Sequence, residues 1–109
     1  MPLDIDEIRA RIKGGSYRLT VHAAVRCKER GITTKDMETA IINGEIIEEY
    51  PDDKPFPSCL IFGHTPDGLP LHVVCSLAPV SHIITLYFPD EKRWIGYRVR
   101  RKEGGKQDE

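Results

Sequence analysis

Residues 69–88 read LPLHVVCSLAPVSHIITLYF. Two apolar runs, Leu71 to Leu77 and Ile83 to Phe88, flank a short link that contains Pro79, and this pattern predicts two adjacent antiparallel strands. Each strand should present alternate residues to opposite faces of a sheet. The stretch therefore supplies the centre of the fold and two chemically distinct faces.

The two faces differ in composition. The apolar face takes the larger aliphatic residues, Leu71, Val73, Cys75 and Leu77 from the first strand and Ile84, Leu86 and Phe88 from the second. The opposite face takes His72, Val74, Ser76, Ile83, Thr85 and Tyr87. An imidazole, two hydroxyls and a phenol offer chemistry that a solvated face does not need, so we expect the functional site on this second, open face.

Upstream, the pattern is helical. Residues 4–13 carry acids in the first turn and bases in the last, which suits a helix dipole. After a brief strand at 17–20, a second helix is predicted from Val21 to Arg30, where Gly31 can close it. Thr33 and Asp36 match a capping box, which predicts a third helix ending at Asn43-Gly44.

From residue 45 the period changes to that of strands, over 46–50 and 58–64 before the central pair. The Thr65-Pro66-Asp67-Gly68 turn is a strong hairpin signal. We therefore predict an α+β fold, in which an N-terminal helix, a short strand and a helical hairpin pack on one face of a three- to four-stranded antiparallel sheet. Residues 1–103 should form one domain and 104–109 a disordered tail.

Composition excludes several classes of protein. The net charge of −1 gives no general attraction to nucleic acid or membranes, yet six of the sixteen Lys and Arg residues lie between Lys92 and Lys102. No apolar run approaches membrane-spanning length, and acids stand where a signal peptide would carry bases. Three cysteines without paired spacing are expected to be free thiols. These features predict a cytoplasmic protein with no membrane partner.

Three basic side chains recur at four-residue spacing in the second helix. His22, Arg26 and Arg30 should fall on one stripe, where two guanidiniums could clamp phosphate oxygens. The alternative is a solvated face on which Glu29 and Asp36 pair with the arginines. The spacing alone leaves both interpretations open.

His72 should stand beside Thr85 and Tyr87 on the neighbouring strand. An imidazole titrates near neutral pH and a phenol can donate a proton, so His72 and Tyr87 could transfer protons to or from a ribose hydroxyl. A structural histidine bound to a hydroxyl would leave the same pattern. The sequence does not fix which residues are opposite each other.

A basic segment with interleaved aromatic residues follows the central strands. Arg93, Trp94, Arg98 and Arg100 could bind RNA, because arginine neutralises phosphate and aromatic planes stack on bases. A basic tail without a partner is the competing interpretation. The histidines and cysteines never adopt paired-ligand spacing, so neither a metal nor another cofactor is predicted.

Several stretches together resemble a known family. They are His22-x-x-x-Arg26-x-x-x-Arg30-Gly31-Ile32, the segment IINGEIIEEYP at 41–51, PLHVV at 70–74 and ITLY at 84–87. They resemble the small bacterial proteins grouped as domain of unknown function family 4258, which look like a branch of the RelE/ParE-like toxin superfamily. The resemblance spans roughly residues 17–100 and implies a RelE-like fold. It also implies a toxin that cuts mRNA, on or off the ribosome, and is held inactive by a cognate antitoxin.

On this resemblance and the chain's own residues we expect a metal-independent mRNA endoribonuclease. His72 would be the base or acid, Tyr87 its partner, and Arg26 and Arg30 would stabilise charge on the phosphate. His22, Thr85, Arg93, Trp94, Arg98 and Arg100 would bind RNA. The alternative is a non-catalytic RNA- or protein-binding module, or a degenerate toxin, that uses the same face. The acidic segment at 45–53 should not contact RNA, because its charge repels phosphate.

Overall fold

The chain folds into three helices and two β-sheets. A computed structural model describes residues 3–77 and 79–102, so the predicted tail at 104–109 lies outside the described residues. In chain order the elements are α1 (Ile5–Lys13), β1 (Tyr17–Leu19), α2 (Val21–Arg30), α3 (Thr34–Ile42), β2 (Glu45–Tyr50), β3 (Ser58–His64), β4 (Pro70–Ser76), β5 (Ser81–Tyr87), β6 (Trp94–Ile95) and β7 (Val99–Arg100).

The helices begin and end where their capping residues predict. In the capping box of α3, the Asp36 N–H donates to the Thr33 hydroxyl and the Thr33 N–H donates to the Asp36 carboxylate, each at 3.0 Å. Gly31 ends α2 in the left-handed conformation at φ 68°. These local bonds satisfy backbone groups that a helix end leaves unpaired, and they fix the bounds of α2 and α3 independently of the rest of the fold.

The main sheet has five strands in the order β1-β5-β4-β3-β2. The predicted hairpin between β3 and β4 is confirmed, since the Gly68 N–H donates to the Thr65 carbonyl at 2.9 Å in the connecting turn. The prediction of a three- to four-stranded antiparallel sheet is wrong in two respects, because the sheet has five strands and β1 joins its edge parallel to β5. β1 meets a strand more than sixty positions away along the chain, and local periodicity carries no information about that pairing.

A bulge in the β4–β5 pair changes the predicted faces. Val74 lies opposite Thr85, but the next pair is Cys75 with Ile83, so Ile84 is an extra residue in β5. Ile83 is consequently fully buried in the main core, contrary to the strict alternation predicted for it. Ile84 is half-buried and lies outside the core cluster.

The core lies between the helices and one face of the main sheet. Ile8, Met37 and Ile41 from the helices pack with residues such as Val73 and Leu86 from the central strands. α3 can lie close to β3 because Gly63 has no side chain; a Cβ there would stand 1.8 Å from the Ala40 carbonyl oxygen. The helical hairpin is thus held firmly on this face, with α2 against β5 and α3 against β3 and β4.

The opposite face of the sheet is not open around His72. The β6–β7 hairpin folds over it, and the Trp94 and His72 ring centroids are 4.4 Å apart. Phe62, the partner of His72 in β3, also contacts the His72 and Tyr97 rings, at 5.7 and 6.2 Å. A second, aromatic core therefore fills the space that the sequence predicted to be exposed.

Two further expectations bear on the class of protein. No helix in the described residues is long and apolar enough to cross a membrane. All three cysteines are free; Cys59 and Cys75 are fully buried opposite each other in β3 and β4, and Cys27 is half-buried.

Candidate nucleic-acid interface

A groove opens between α2, the end of β5 and the start of β6. We call it the α2–β5 groove, and its volume is about 660 Å³. Its walls combine basic, hydroxyl and aromatic side chains. They are His22, Arg26, Arg30, Thr85, Tyr87, Phe88, Asp90, Arg93 and Trp94. The structure thus brings together seven of the ten side chains that the sequence analysis singled out.

Helix α2 supplies one wall. His22, Arg26 and Arg30 are spaced at four residues, so the helix presents all three along one stripe. His22 and Arg30 are exposed, while Arg26 is half-buried and forms an ion pair with Glu29 at 3.2 Å. Both earlier interpretations of this stripe hold in part, because one arginine has an acidic partner and the stripe still faces a groove.

The groove carries net positive charge. Its lining has three arginines against one acid, Asp90. Among the residues that the structure describes, neither Arg30 nor Arg93 takes part in an ion pair. Asp90 accepts a hydrogen bond from the Lys92 N–H at 2.9 Å, which fixes the turn after β5. Two guanidiniums are therefore available to an anionic ligand.

Strand β5 supplies the floor with Thr85 and Tyr87, both half-buried. His72 lies directly behind Tyr87, its partner in β4, and their ring centroids are 5.3 Å apart. Tyr87 is confirmed as the cross-strand neighbour of His72, whereas Thr85 lies opposite Val74. His72 itself is 0% exposed and does not line the groove. Direct contact between its imidazole and a ligand is blocked by the surrounding rings.

His72 is held by two hydrogen bonds of different kinds. Its Nε2 lies 2.7 Å from the Tyr97 carbonyl oxygen, and its Nδ1 lies 3.3 Å from the Tyr87 hydroxyl. Burial lowers the pKa of His72, and the Tyr97 carbonyl opposes this by stabilising the protonated ring. Because a carbonyl can only accept, Nε2 carries the proton.

Tyr97 reaches His72 through a strained turn. It has φ 63°, and no other non-glycine residue among those described has a positive φ. Gly96 before it has φ 60°, and the Arg98 N–H closes the turn on the Ile95 carbonyl at 3.0 Å. Hairpin turns with two left-handed residues match the twist of short β-ribbons, although the second position costs energy when it is not glycine. The turn places the Tyr97 carbonyl oxygen within hydrogen-bonding distance of the His72 imidazole.

The remaining predicted RNA contacts lie elsewhere or are covered. Trp94 is only 3% exposed, so its indole offers no free plane for base stacking, and the Arg100 guanidinium lies 4.7 Å from its centroid. Arg100 also pairs with Glu48 at 3.0 Å, and Arg98 pairs with Glu45 while lying over the Phe62 ring. Arg98 and Arg100 thus tie the β6–β7 hairpin to the acidic strand β2, outside the groove.

Comparison with known proteins identifies a family. A family model described as a domain of unknown function, DUF4258, matches residues 19–88, well over half of the chain. The chain belongs to the DUF4258 family. Neither the curated proteins nor the solved structures contain a match.

The DUF4258 segment contains most of the groove. His22, Arg26, Arg30, Thr85 and Tyr87 lie within residues 19–88, and so does His72 behind them. Arg93 and Trp94, which complete the lining, follow the matched segment. The family region therefore supplies the α2 wall and the β5 floor of the groove, and the C-terminal segment supplies the other wall.

Sequence reasoning missed three contributors to the site. Phe88 and Asp90 line the groove, and the Tyr97 carbonyl fixes the His72 tautomer. The Pro89-Asp90 pair after a strand is a turn signal that could have placed Asp90 at the strand end. A backbone carbonyl has no side-chain signature, so the role of Tyr97 is visible only in the fold.

The lining defines the chemistry that the groove can support. Arginines bind phosphate, an imidazole can exchange protons near neutral pH, and the Tyr87 hydroxyl can hold a ribose oxygen. Within residues 3–77 and 79–102, no three His, Cys, Asp or Glu side chains are grouped to hold a metal ion. The lining thus offers side chains for phosphate binding and for proton transfer.

Proposed function

We propose that this DUF4258 protein is a metal-independent endoribonuclease that binds mRNA, free or on the ribosome, in the α2–β5 groove. The observation that carries the proposal is the convergence of Arg26, Arg30 and Arg93 with His22 and Tyr87 on one lining. Cleavage of RNA needs phosphate neutralisation and proton transfer at the same place, and this lining combines the two.

The proposed reaction is attack by the ribose on its own phosphate. The 2′-hydroxyl loses its proton, its oxygen bonds to phosphorus, and the bond from phosphorus to the 5′-oxygen of the next nucleotide breaks. The leaving oxygen takes up a proton, which gives a cyclic phosphate and a 5′-hydroxyl. His22 is the exposed imidazole for proton transfer, and the arginines stabilise the additional negative charge on the phosphate.

The biological setting follows from the resemblance to RelE/ParE-like toxins. In that setting the protein is the toxin of a toxin–antitoxin pair, and its partner is a cognate antitoxin that blocks cleavage. The sequence suggested His72 as the residue that transfers protons to or from the RNA. In this proposal side chains of the groove lining take that role. His72 is enclosed by rings and supports Tyr87 from behind.

The test is induced expression in a bacterial host, with growth and new 5′ ends in cellular mRNA as readouts. Wild type should arrest growth and create ends that vanish in His22→Ala and Arg30→Ala. Lys28→Ala is the matched control, because it removes an exposed charge from the same helix outside the groove lining. Normal growth and no new ends with abundant soluble wild type would contradict the proposal.

A second function is favoured by one specific observation. The full burial of His72 removes an imidazole from the groove, which leaves His22 as the imidazole in the lining. A non-catalytic RNA-binding module needs only the arginines. In that case purified protein would bind RNA with an affinity that falls steeply with salt and would leave the RNA intact.

A further inference from the structure

The segment that leaves β5 presents two unlike side chains to the α2–β5 groove. Phe88 and Asp90 both line the groove, whereas Pro89 between them is buried. This is the alternation that a strand imposes on successive side chains, continued past the end of β5. An aromatic ring and a carboxylate therefore face a groove whose other charged side chains are three arginines.

The fold uses only part of the Asp90 carboxylate. Its Oδ1 accepts a hydrogen bond from the Lys92 N–H at 2.9 Å, which closes the turn after β5. Within the described residues no other hydrogen bond and no ion pair involves this side chain, although three arginines line the same groove. Because each carboxylate oxygen can accept two hydrogen bonds, Asp90 keeps acceptor capacity for a ligand.

The Phe88 ring is also available to a ligand. Trp94, on the opposite side of the lining, is buried against the His72 ring and the Arg100 guanidinium. Phe88 is half-buried and packs on the main core with its covered part. In the part of the chain that the structure describes, neither an aromatic ring nor a guanidinium stacks on it. Phe88 thus offers the groove a surface on which a planar group can stack.

A ring and a carboxylate side by side suit a nucleobase. Unpaired RNA bases bind proteins by stacking on aromatic side chains and by hydrogen bonds along their Watson–Crick edge. We infer that Phe88 and Asp90 form a base subsite in the α2–β5 groove and that this subsite selects guanine. The inference rests on the proposed binding of RNA in the groove and adds the base that the groove prefers.

The carboxylate decides which base fits. Guanine presents two neighbouring donors, N1–H and the N2 amino group, and an ionised carboxylate can only accept. Adenine and cytosine place a ring nitrogen acceptor beside their amino group, and uracil has a carbonyl oxygen on each side of its one N–H. In those three bases a lone pair would face the negative charge of Asp90.

The charge of Asp90 also separates the base from the RNA backbone. Phosphate oxygens are repelled by a carboxylate and attracted by guanidiniums. Phosphates should therefore bind to the arginines of the lining and avoid the end of the groove at Asp90. A neutral base with N–H donors is the part of an RNA that this end can accept.

The experiment measures the affinity of hexanucleotides that differ at one base in a uridine background, by fluorescence anisotropy. The base is guanine, inosine, adenine, cytosine or uracil, and 2′-fluoro riboses block the proposed cleavage. Wild type should bind the guanine oligonucleotide about tenfold more tightly than the uracil one. Inosine, which lacks the N2 amino group, should lie between them. Because inosine keeps O6 and N7, the atoms that an arginine reads, the loss from guanine to inosine reports a hydrogen-bond acceptor.

Asp90→Asn tests the carboxylate. The variant keeps the turn, because its amide oxygen can accept the Lys92 N–H, but an NH2 group replaces the second oxygen. The preference for guanine over inosine and over uracil should vanish. Asp67→Asn is the matched control, since it removes an exposed acid from the β3–β4 turn outside the groove lining. It should leave both affinity ratios at their wild-type values.

Phe88→Leu tests the stacking surface. It keeps an apolar side chain and removes the aromatic plane. The affinities for the guanine and inosine oligonucleotides should fall together, by about fivefold to tenfold, because stacking does not depend on the N2 amino group. Their ratio should persist, since Asp90 is unchanged. Circular dichroism checks that each variant folds.

The outcomes separate this inference from the proposed function. Equal wild-type affinities for all five oligonucleotides, or a guanine preference that Asp90→Asn retains, overturn the base subsite and leave RNA binding in the groove standing. If Asp90→Asn does not fold, the wild-type ratio of guanine to inosine decides. A wild-type protein that binds none of the oligonucleotides overturns the proposed function and this inference together.

Discussion

Two sets of arginines of equal charge have different surroundings in this protein. Arg30 and Arg93 line the α2–β5 groove and form no ion pair within the described residues. Arg98 and Arg100 lie over aromatic rings and pair with Glu45 and Glu48 of β2. The difference teaches that a basic segment in a sequence says little about binding until its acidic partners are known.

Arg100 of the paired set is also held in its charged form by its neighbours. Partial burial tends to lower the pKa of Arg100, but hydrogen bonds and charges from Glu48 and Tyr50 outweigh it, so the pKa is raised. Its cation is committed to neighbours within the fold. We therefore assign Arg98 and Arg100 to anchoring the β6–β7 hairpin, and the arginines of the groove to the ligand.

The largest expected effect comes from removing charge in the groove. Arg30→Ala with Arg93→Ala should weaken binding to single-stranded RNA by about tenfold or more and reduce the slope of log affinity against log salt by about 1.4, since each phosphate contact contributes about 0.7. Anisotropy titrations over a range of salt concentrations measure both quantities.

The matched control for this pair is Lys28→Ala with Lys92→Ala. These lysines are exposed on the same two segments and lie outside the groove lining. Their removal takes away the same charge, so only general electrostatic attraction should be lost. Equal losses of RNA affinity for the two double variants would show that the groove arginines contribute no more to binding than other surface charges do.

A smaller effect is expected from the anchoring pair, seen in stability and not in affinity. Arg98→Ala with Arg100→Ala should lower the free energy of unfolding by about 1 kcal/mol, because exposed ion pairs and cation–π contacts contribute only fractions of a kcal/mol each. Thermal unfolding should show a fall in Tm of about 4 to 8 °C. A loss of RNA affinity as large as that of the groove variant would show that the two sets of arginines act alike.

The smallest expected effect is a pH dependence of stability. It originates at His72, which lies buried behind the groove. The pKa of His72 is lowered from 6.5 by burial, so below pH 6.5 the unfolded chain binds a proton that the folded chain does not. Stability should therefore fall as the pH drops from 6.5 to the folded-state pKa and should change no further from this group below it.

His72→Gln removes this titration. Urea unfolding across that pH range should give a shallower loss of stability for the variant than for wild type. A variant that follows the wild-type pH curve would mean that His72 titrates alike in the folded and unfolded chains, against the burial that separates it from the groove.

Local interactions explain what could be predicted from the sequence. Three signals each act over only a few residues: the capping box at Thr33 and Asp36, Gly31 after α2, and the Asp67-Gly68 turn. They made the bounds of the helices and the β3–β4 hairpin predictable. The stripe of His22, Arg26 and Arg30 was predictable for the same reason, because a four-residue spacing needs only the helix.

Long-range pairing explains what could not be predicted. The parallel contact of β1 with β5 joins distant parts of the chain, and the bulge at Ile84 depends on the register of β4 against β5. The burial of His72 depends on the two-residue strand β6 and on the left-handed backbone conformation of Tyr97. The alternation of apolar and polar residues reveals neither feature. The acidic partners of Arg98 and Arg100 are likewise about fifty positions away.

The central claim is that RNA occupies the α2–β5 groove, and backbone amide shifts in NMR test it most directly. Titration of the protein, as its His22→Ala variant to limit cleavage, with a short single-stranded RNA should move amide signals along α2 and from Thr85 to Trp94. Signals of β2 and β7 should stay in place, because their arginines and acids neutralise one another. Shifts confined to β2 and β7, or no shifts at all, would contradict the account.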